Sequence, residues 1–197
     1  MKLGVAILQY STYPAPFPTQ LNQLLSTIQH IIFTGVPASR VCLAGDSAGA
    51  NILFQLVGHI LHPSPSPSEL SSFVGMCLIS PWSGAGDIRT EDDSFDLVPS
   101  ECLGLWMDTY LSTMPASHHV YVQLDTVTEV LYSSIVRLSE AMERAHACVE
   151  LDVQTGGVHC DTMFDIGAKS KAPHPVERRV VDWLAETLSD ERLATYQ

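Results

Sequence analysis

Basic residues are scarce in this chain. Ten Lys and Arg stand against 22 Asp and Glu, a formal charge of −12 at pH 7. That deficit argues against nucleic acid or an anionic membrane surface as the main partner, since both are held by dense positive patches. Cysteines are few and odd in number: Cys42, Cys77, Cys102, Cys148 and Cys160. Cys42, Cys77 and Cys148 lie in or beside apolar runs that read as buried strands, so they are taken as small core residues of a reducing compartment, and a cytoplasmic protein is expected. Long apolar runs are missing as well. The run near the N-terminus is short, no small-residue cleavage site follows it, and Pro14, Pro16 and Pro18 come next. A buried strand from Val5 to Tyr10 is therefore expected in place of a signal peptide, and no stable membrane insertion. There is no internal repeat. His118-His119 has no Cys or acidic cluster at ligand spacing, so no metal is expected.

What is present is enough for one sizeable core. The chain has 197 residues, of which 46% are hydrophobic, and a single domain is expected over residues 1–197. After the first strand and a proline-rich turn, Leu21, Leu24, Leu25, Ile28, Ile31 and Ile32 recur at helical spacing, with Thr19 as N-cap and Gly35 as stop. A strand over Val41 to Ala44 follows, then a helix ending near His62. The Pro-Ser alternation from Pro63 to Ser68 reads as a surface link inside the domain. Next come a strand from Phe73 to Ile79, running into Ser80-Pro81-Trp82, and a cap-like insertion at 83–116. That insertion carries one amphipathic helix, with Leu103, Leu105, Trp106, Tyr110 and Leu111. A strand from Val120 to Leu124, a helix from Glu129 to Ala145, a strand from Val149 to Val153 and a terminal helix from Val176 to Leu188 complete the order. Strands alternating with helices predict an α/β fold with a mostly parallel, doubly wound sheet and its chemistry at the strand C-terminal ends.

The stretch Arg40-Val41-Cys42-Leu43-Ala44-Gly45-Asp46-Ser47-Ala48-Gly49-Ala50-Asn51 organises that expectation. It reads as strand, tight turn, helix, with Ser47 at the turn in a G-x-S-x-G pentapeptide. Small residues are expected at both Gly45 and Gly49, where a side chain would collide as the helix passes the strand. The Ala48 N–H at the helix start would face a developing oxyanion. A serine hydroxyl needs a histidine to take its proton and a carboxylate to orient that histidine. Candidates follow in the order serine, acid, histidine: Ser47, then Glu129 or Asp125, then His159 on a loop opened by Gly156-Gly157. Glu129 is preferred as the acid, with Asp125 as the alternative.

At Gly45-Asp46-Ser47-Ala48-Gly49-Ala50-Asn51 the sequence resembles the hormone-sensitive-lipase-like α/β-hydrolases, the fold-3 group. The likeness extends to Tyr10-Ser11 with Pro14 and Phe17-Pro18, Ser80-Pro81-Trp82, Glu129-Val130-Leu131 and Gly157-Val158-His159, and looks closest to fungal esterase/lipase-like members. The resemblance implies hydrolysis of carboxylic esters of small or medium acyl groups, without metal or organic cofactor, in a setting such as fungal secondary metabolism. It matches Ser47 to the nucleophile, Glu129 to the acid, His159 to the base and Ala48 to one oxyanion donor. Such enzymes carry a His-Gly-Gly-Gly-type segment upstream of the strand that Val5 to Tyr10 resembles, and this sequence begins after that point. An N-terminally truncated sheet is expected, with the first strand shifted to pair with the elbow strand or with exposed edges. Two readings of different class follow. One is a serine esterase acting on a small-molecule ester; the other is a weak or inactive relative that binds a small apolar ligand, or a remnant without function.

Overall fold

The computed structural model describes residues 3–61, 73–82, 100–115 and 175–189, with shorter stretches at 139–140, 142–144, 148–152, 160–161 and 167–168. In chain order the elements are α1 (Thr19–Phe33), a single tight turn (Ala38–Arg40), β1 (Cys42–Asp46), α2 (Ser47–Leu61), β2 (Gly75–Ile79), α3 (Ser100–Leu111) and α4 (Pro175–Thr187). The Pro63 to Ser68 link and the strand expected from Val120 to Leu124 lie outside the described residues. So does most of the helix expected from Glu129, of which residues 139–140 and 142–144 are helical.

β1 and β2 pair in parallel, from Cys42 opposite Gly75 to Asp46 opposite Ile79. Side chains alternate between the faces of a strand, and parallel partners share a face. Leu43, Gly45, Met76 and Leu78 therefore point to one side. There Leu43 is buried with Leu21, Leu24 and Ile28 of α1 and with Ile52, Leu53 and Leu56 of α2, while Met76 and Leu78 pack against that cluster. Cys42, Ala44, Gly75 and Cys77 point to the other side, where α4 crosses so closely that a Cβ on Gly75 would lie 3.0 Å from Trp183 and Thr187. Helices α1 and α2 thus cover one face, while α4 meets the other at Gly75 and leaves Ala44 exposed; the β1–α2–β2 crossover is the unit from which a doubly wound sheet is built.

The N-terminal segment departs from expectation. Residues 3–12 form no strand, and Val5 and Ile7 are 84% and 85% exposed, while Leu8 and Tyr10 pack against the core. A strand exists only through a partner's N–H and C=O groups. Among the described residues β1 pairs with β2 alone, so the first segment has not shifted across to the elbow strand. The described part of the expected strand from Val149 to Val153, residues 149–152, likewise forms no strand. Cys148 is exposed there, so it is not a core residue. Asp152 in that stretch forms an ion pair with Arg179 of α4.

The other elements fall close to expectation, with local differences. The Pro18 carbonyl accepts the Asn22 N–H at 3.0 Å, which makes Pro18 the N-cap of α1 and Thr19 its first helical residue. Gly35 ends the helix region at φ +94°, a conformation that favours glycine. On α3 it is Met107 that is buried, whereas Leu105 and Trp106 are 58% and 41% exposed. No described helix is long and apolar enough to cross a membrane.

Cys42 and Cys77 share the α4 face and are half-buried free thiols. Burial, followed by the charge of Cys77, pushes the Cys42 thiol up from 9.0 to about 11, and burial raises Cys77 as well. A raised folded-state value favours the neutral thiol, so its stabilising contribution is complete below 9.0 and is lost as pH rises through about 11. The urea midpoint of the wild type is expected to fall across that window, and Cys42→Ala to flatten the fall.

Candidate active site

Ser47 stands where β1 becomes α2, half-buried, with φ +46°. A non-glycine residue held in the left-handed region costs on the order of 1–3 kcal/mol and persists only where its surroundings impose it. The turn is closely packed on its strand side, at Gly45. A Cβ on Gly45 would lie 2.8 Å from the Gly49 carbonyl carbon and 2.9 Å from both the Ala50 nitrogen and the Gly49 oxygen. Strand alternation turns that position toward α2, so only hydrogen lets the helix pass this close to the strand. The Ala48 N–H then falls in the first helical turn, where backbone donors have no intrahelical acceptor and the dipole favours negative charge.

The second glycine is less constrained than the sequence suggests. The nearest atoms to a Cβ on Gly49 would be the Tyr10 hydroxyl at 3.8 Å and Asp46 Oδ1 at 4.0 Å, which is ordinary contact. Tyr10 therefore borders the elbow from the N-terminal segment. Burial raises its hydroxyl above the usual tyrosine value, and the Asp46 carboxylate adds to the shift.

A line of hydrogen bonds runs from the elbow through the interior to α3. The Trp82 N–H donates to the Ser47 carbonyl at 3.2 Å. Asn51 Nδ2 donates to the Trp82 carbonyl at 2.6 Å, Gln55 Nε2 donates to Asn51 Oδ1 at 2.7 Å, and the Tyr110 hydroxyl donates to Gln55 Oε1 at 2.9 Å. Asn51 and Gln55 are buried, Gln55 completely. Burial pushes Tyr110 up to about 12. Its ring also meets Phe17 edge-on at 6.1 Å between centroids. These bonds hold Ser80-Pro81-Trp82 against the Ser47 turn and anchor α3 to α2. Tyr110→Phe removes the donor to Gln55 Oε1. A buried acceptor left unpaired costs about 1–3 kcal/mol, so thermal unfolding should occur roughly 2–12 °C lower. Asn51→Ala, which strips two of the bonds, should cost more.

A second tie joins the end of β2 to the chain near residue 160. Ser80 and Cys160 both have positive φ, +43° and +56°, and the Cys160 N–H donates to Ser80 Oγ at 3.1 Å. Of the residues assigned to the site from sequence, Ser47 and Ala48 are described, while Glu129, Asp125 and His159 lie outside the described residues. Sequence reasoning assigned no role to Asn51, Gln55, Ser80 or Tyr110. A signal existed for the first two, which are polar and four residues apart on an otherwise apolar helix.

A serine on a strained strand-to-helix turn, at the end of a parallel strand whose crossover helix packs back on the sheet, is the arrangement of an α/β-hydrolase scaffold. The family model described as alpha/beta hydrolase fold matches residues 2–133, and the chain belongs to that family. Human hormone-sensitive lipase is 32% identical over 127 residues, a match covering 47% of this chain and 12% of that protein. Among solved structures, fungal esterases from Rhizomucor miehei share the fold at TM-score 0.69 and 20% identity, over 96% of this chain and 64% of theirs. EstE5 gives TM-score 0.68 at 19% identity, over 94% and 64%. A hormone-sensitive lipase from a metagenome library gives 0.66 at 20%, over 87% and 62%. This chain thus spans about one eighth of the human lipase and under two thirds of each of these structures.

Proposed function

We propose that this chain is a carboxylic ester hydrolase with Ser47 as its nucleophile, His159 as the base, and Glu129 as the acid that orients the base, with Asp125 as the alternative. The observation that carries the reading is Ser47 at φ +46°, on the turn where α2 passes close over Gly45. Such strain costs stability and is retained where it presents a side chain for chemistry. Membership of the family supports the reaction class, as do relatives that are themselves named as esterases and lipases.

In the proposed reaction Ser47 Oγ attacks the ester carbonyl carbon as His159 takes its proton. The tetrahedral oxyanion is met by the Ala48 N–H at the α2 N-terminus. The C–O bond to the alcohol then breaks, His159 returns the proton to the departing oxygen, and water repeats the sequence on the acyl-serine to release the acid. No step draws on a cofactor.

The test is hydrolysis of p-nitrophenyl acetate and butyrate beside Ser47→Ala, with a cooperative unfolding transition confirmed for both. Equal rates in folded wild type and mutant would remove the esterase reading and leave a ligand-binding relative. Glu129→Gln and Asp125→Asn separate the two acids: the one that orients His159 lowers kcat steeply, by about 10⁴-fold in the analogous serine-protease substitution, with little change in stability.

A further inference from the structure

The bond between the Cys160 N–H and Ser80 Oγ joins residues 80 positions apart, and both ends are in a backbone conformation that non-glycine residues avoid. Ser80 directly follows β2, whose last residue, Ile79, pairs with Asp46 beside the nucleophile. Two residues on, the Trp82 N–H donates to the Ser47 carbonyl. Ser80 is therefore tied to the elbow on one side and to Cys160 on the other, and Cys160 is the residue after His159.

From this geometry we infer that Ser80 is a positioning residue: its hydroxyl oxygen fixes the chain at Cys160 relative to the Ser47 turn, and so sets where His159 is presented to the nucleophile. The inference rests on the proposed role of His159. A hydroxyl is suited to the task because it accepts the Cys160 N–H at 3.1 Å from a side chain of fixed length. The tight backbone at Ser80 turns the chain off the strand end within one residue, bringing that oxygen to the C-terminal edge of the sheet, where this class of fold does its chemistry. A misplacement of about 1 Å between a base and its nucleophile costs on the order of 10²-fold in rate.

Ser80→Ala removes the acceptor and keeps the backbone strain; Ser80→Gly removes both. The two should lower the rate of fluorophosphonate labelling at Ser47, and kcat/KM on p-nitrophenyl butyrate, by a similar factor of about 10 to 100, with KM little changed. Their stabilities should diverge, the glycine variant melting above the alanine variant because it tolerates φ +43°. In a His159→Ala background, Ser80→Ala should slow labelling no further, because a residue acting through the base has nothing left to act on. A loss that tracks melting temperature, full activity in the glycine variant, or an equal loss in both backgrounds overturns the inference. His159→Ala labelling at the wild-type rate overturns the base assignment itself, and the inference with it.

Discussion

Ser47→Ala is expected to lower kcat on p-nitrophenyl esters by on the order of 10⁴- to 10⁶-fold, while the folded state survives. The size follows from what the hydroxyl does. In the proposed reaction it forms the bond that splits one difficult hydrolysis into two easier steps, and an alanine methyl offers no nucleophilic atom in its place. Whatever activity remains would reflect binding and the Ala48 N–H acting on a water molecule. Stability should change little, because Ser47 is half-buried at the turn and alanine accepts the same backbone. The pairing of a very large kinetic effect with a small thermal one distinguishes a nucleophile from a structural serine.

Gly45→Ala should show the opposite balance. Its added Cβ would stand 2.8 to 2.9 Å from three backbone atoms of Gly49 and Ala50, and backbone cannot swing aside as a flexible side chain can. Either α2 lifts from β1 or the turn reshapes. Overpacking of this kind costs about 3 kcal/mol, which for a chain of this size is a melting shift of roughly 6–12 °C. The displaced elbow should also cost activity. Gly49→Ala is the control, since a Cβ there meets nothing closer than 3.8 Å. It should be tolerated several-fold better in both measurements.

How much of this was legible in the sequence depends on how local each feature is. The elbow was readable because one short segment carries its strand, turn and helix signals together, and β1, Ser47 and α2 appear where those signals lie. The helices α1 and α4 were readable from apolar spacing alone. Val5 to Tyr10 was misread because apolar content marks a segment able to pair, and pairing requires a partner that the segment's own residues do not encode. Cys148 failed for the same reason. Gly49 looked as constrained as Gly45 because they are symmetric in the motif, yet only Gly45 lies on the strand face over which the helix passes. The buried line from Ser47 through Asn51 and Gln55 to Tyr110, and the tie between Ser80 and Cys160, join residues far apart in the chain. Spacing rules cannot show such contacts, although the Asn51 and Gln55 pair could have raised the question.

The most direct measurement of the central claim is treatment of the folded protein with a fluorophosphonate, followed by mass analysis of its peptides. The account predicts one covalent adduct, on the peptide carrying Ser47, abolished by prior unfolding and greatly slowed in His159→Ala. Absence of any adduct on protein with a cooperative unfolding transition, or an adduct on a different residue, would contradict it.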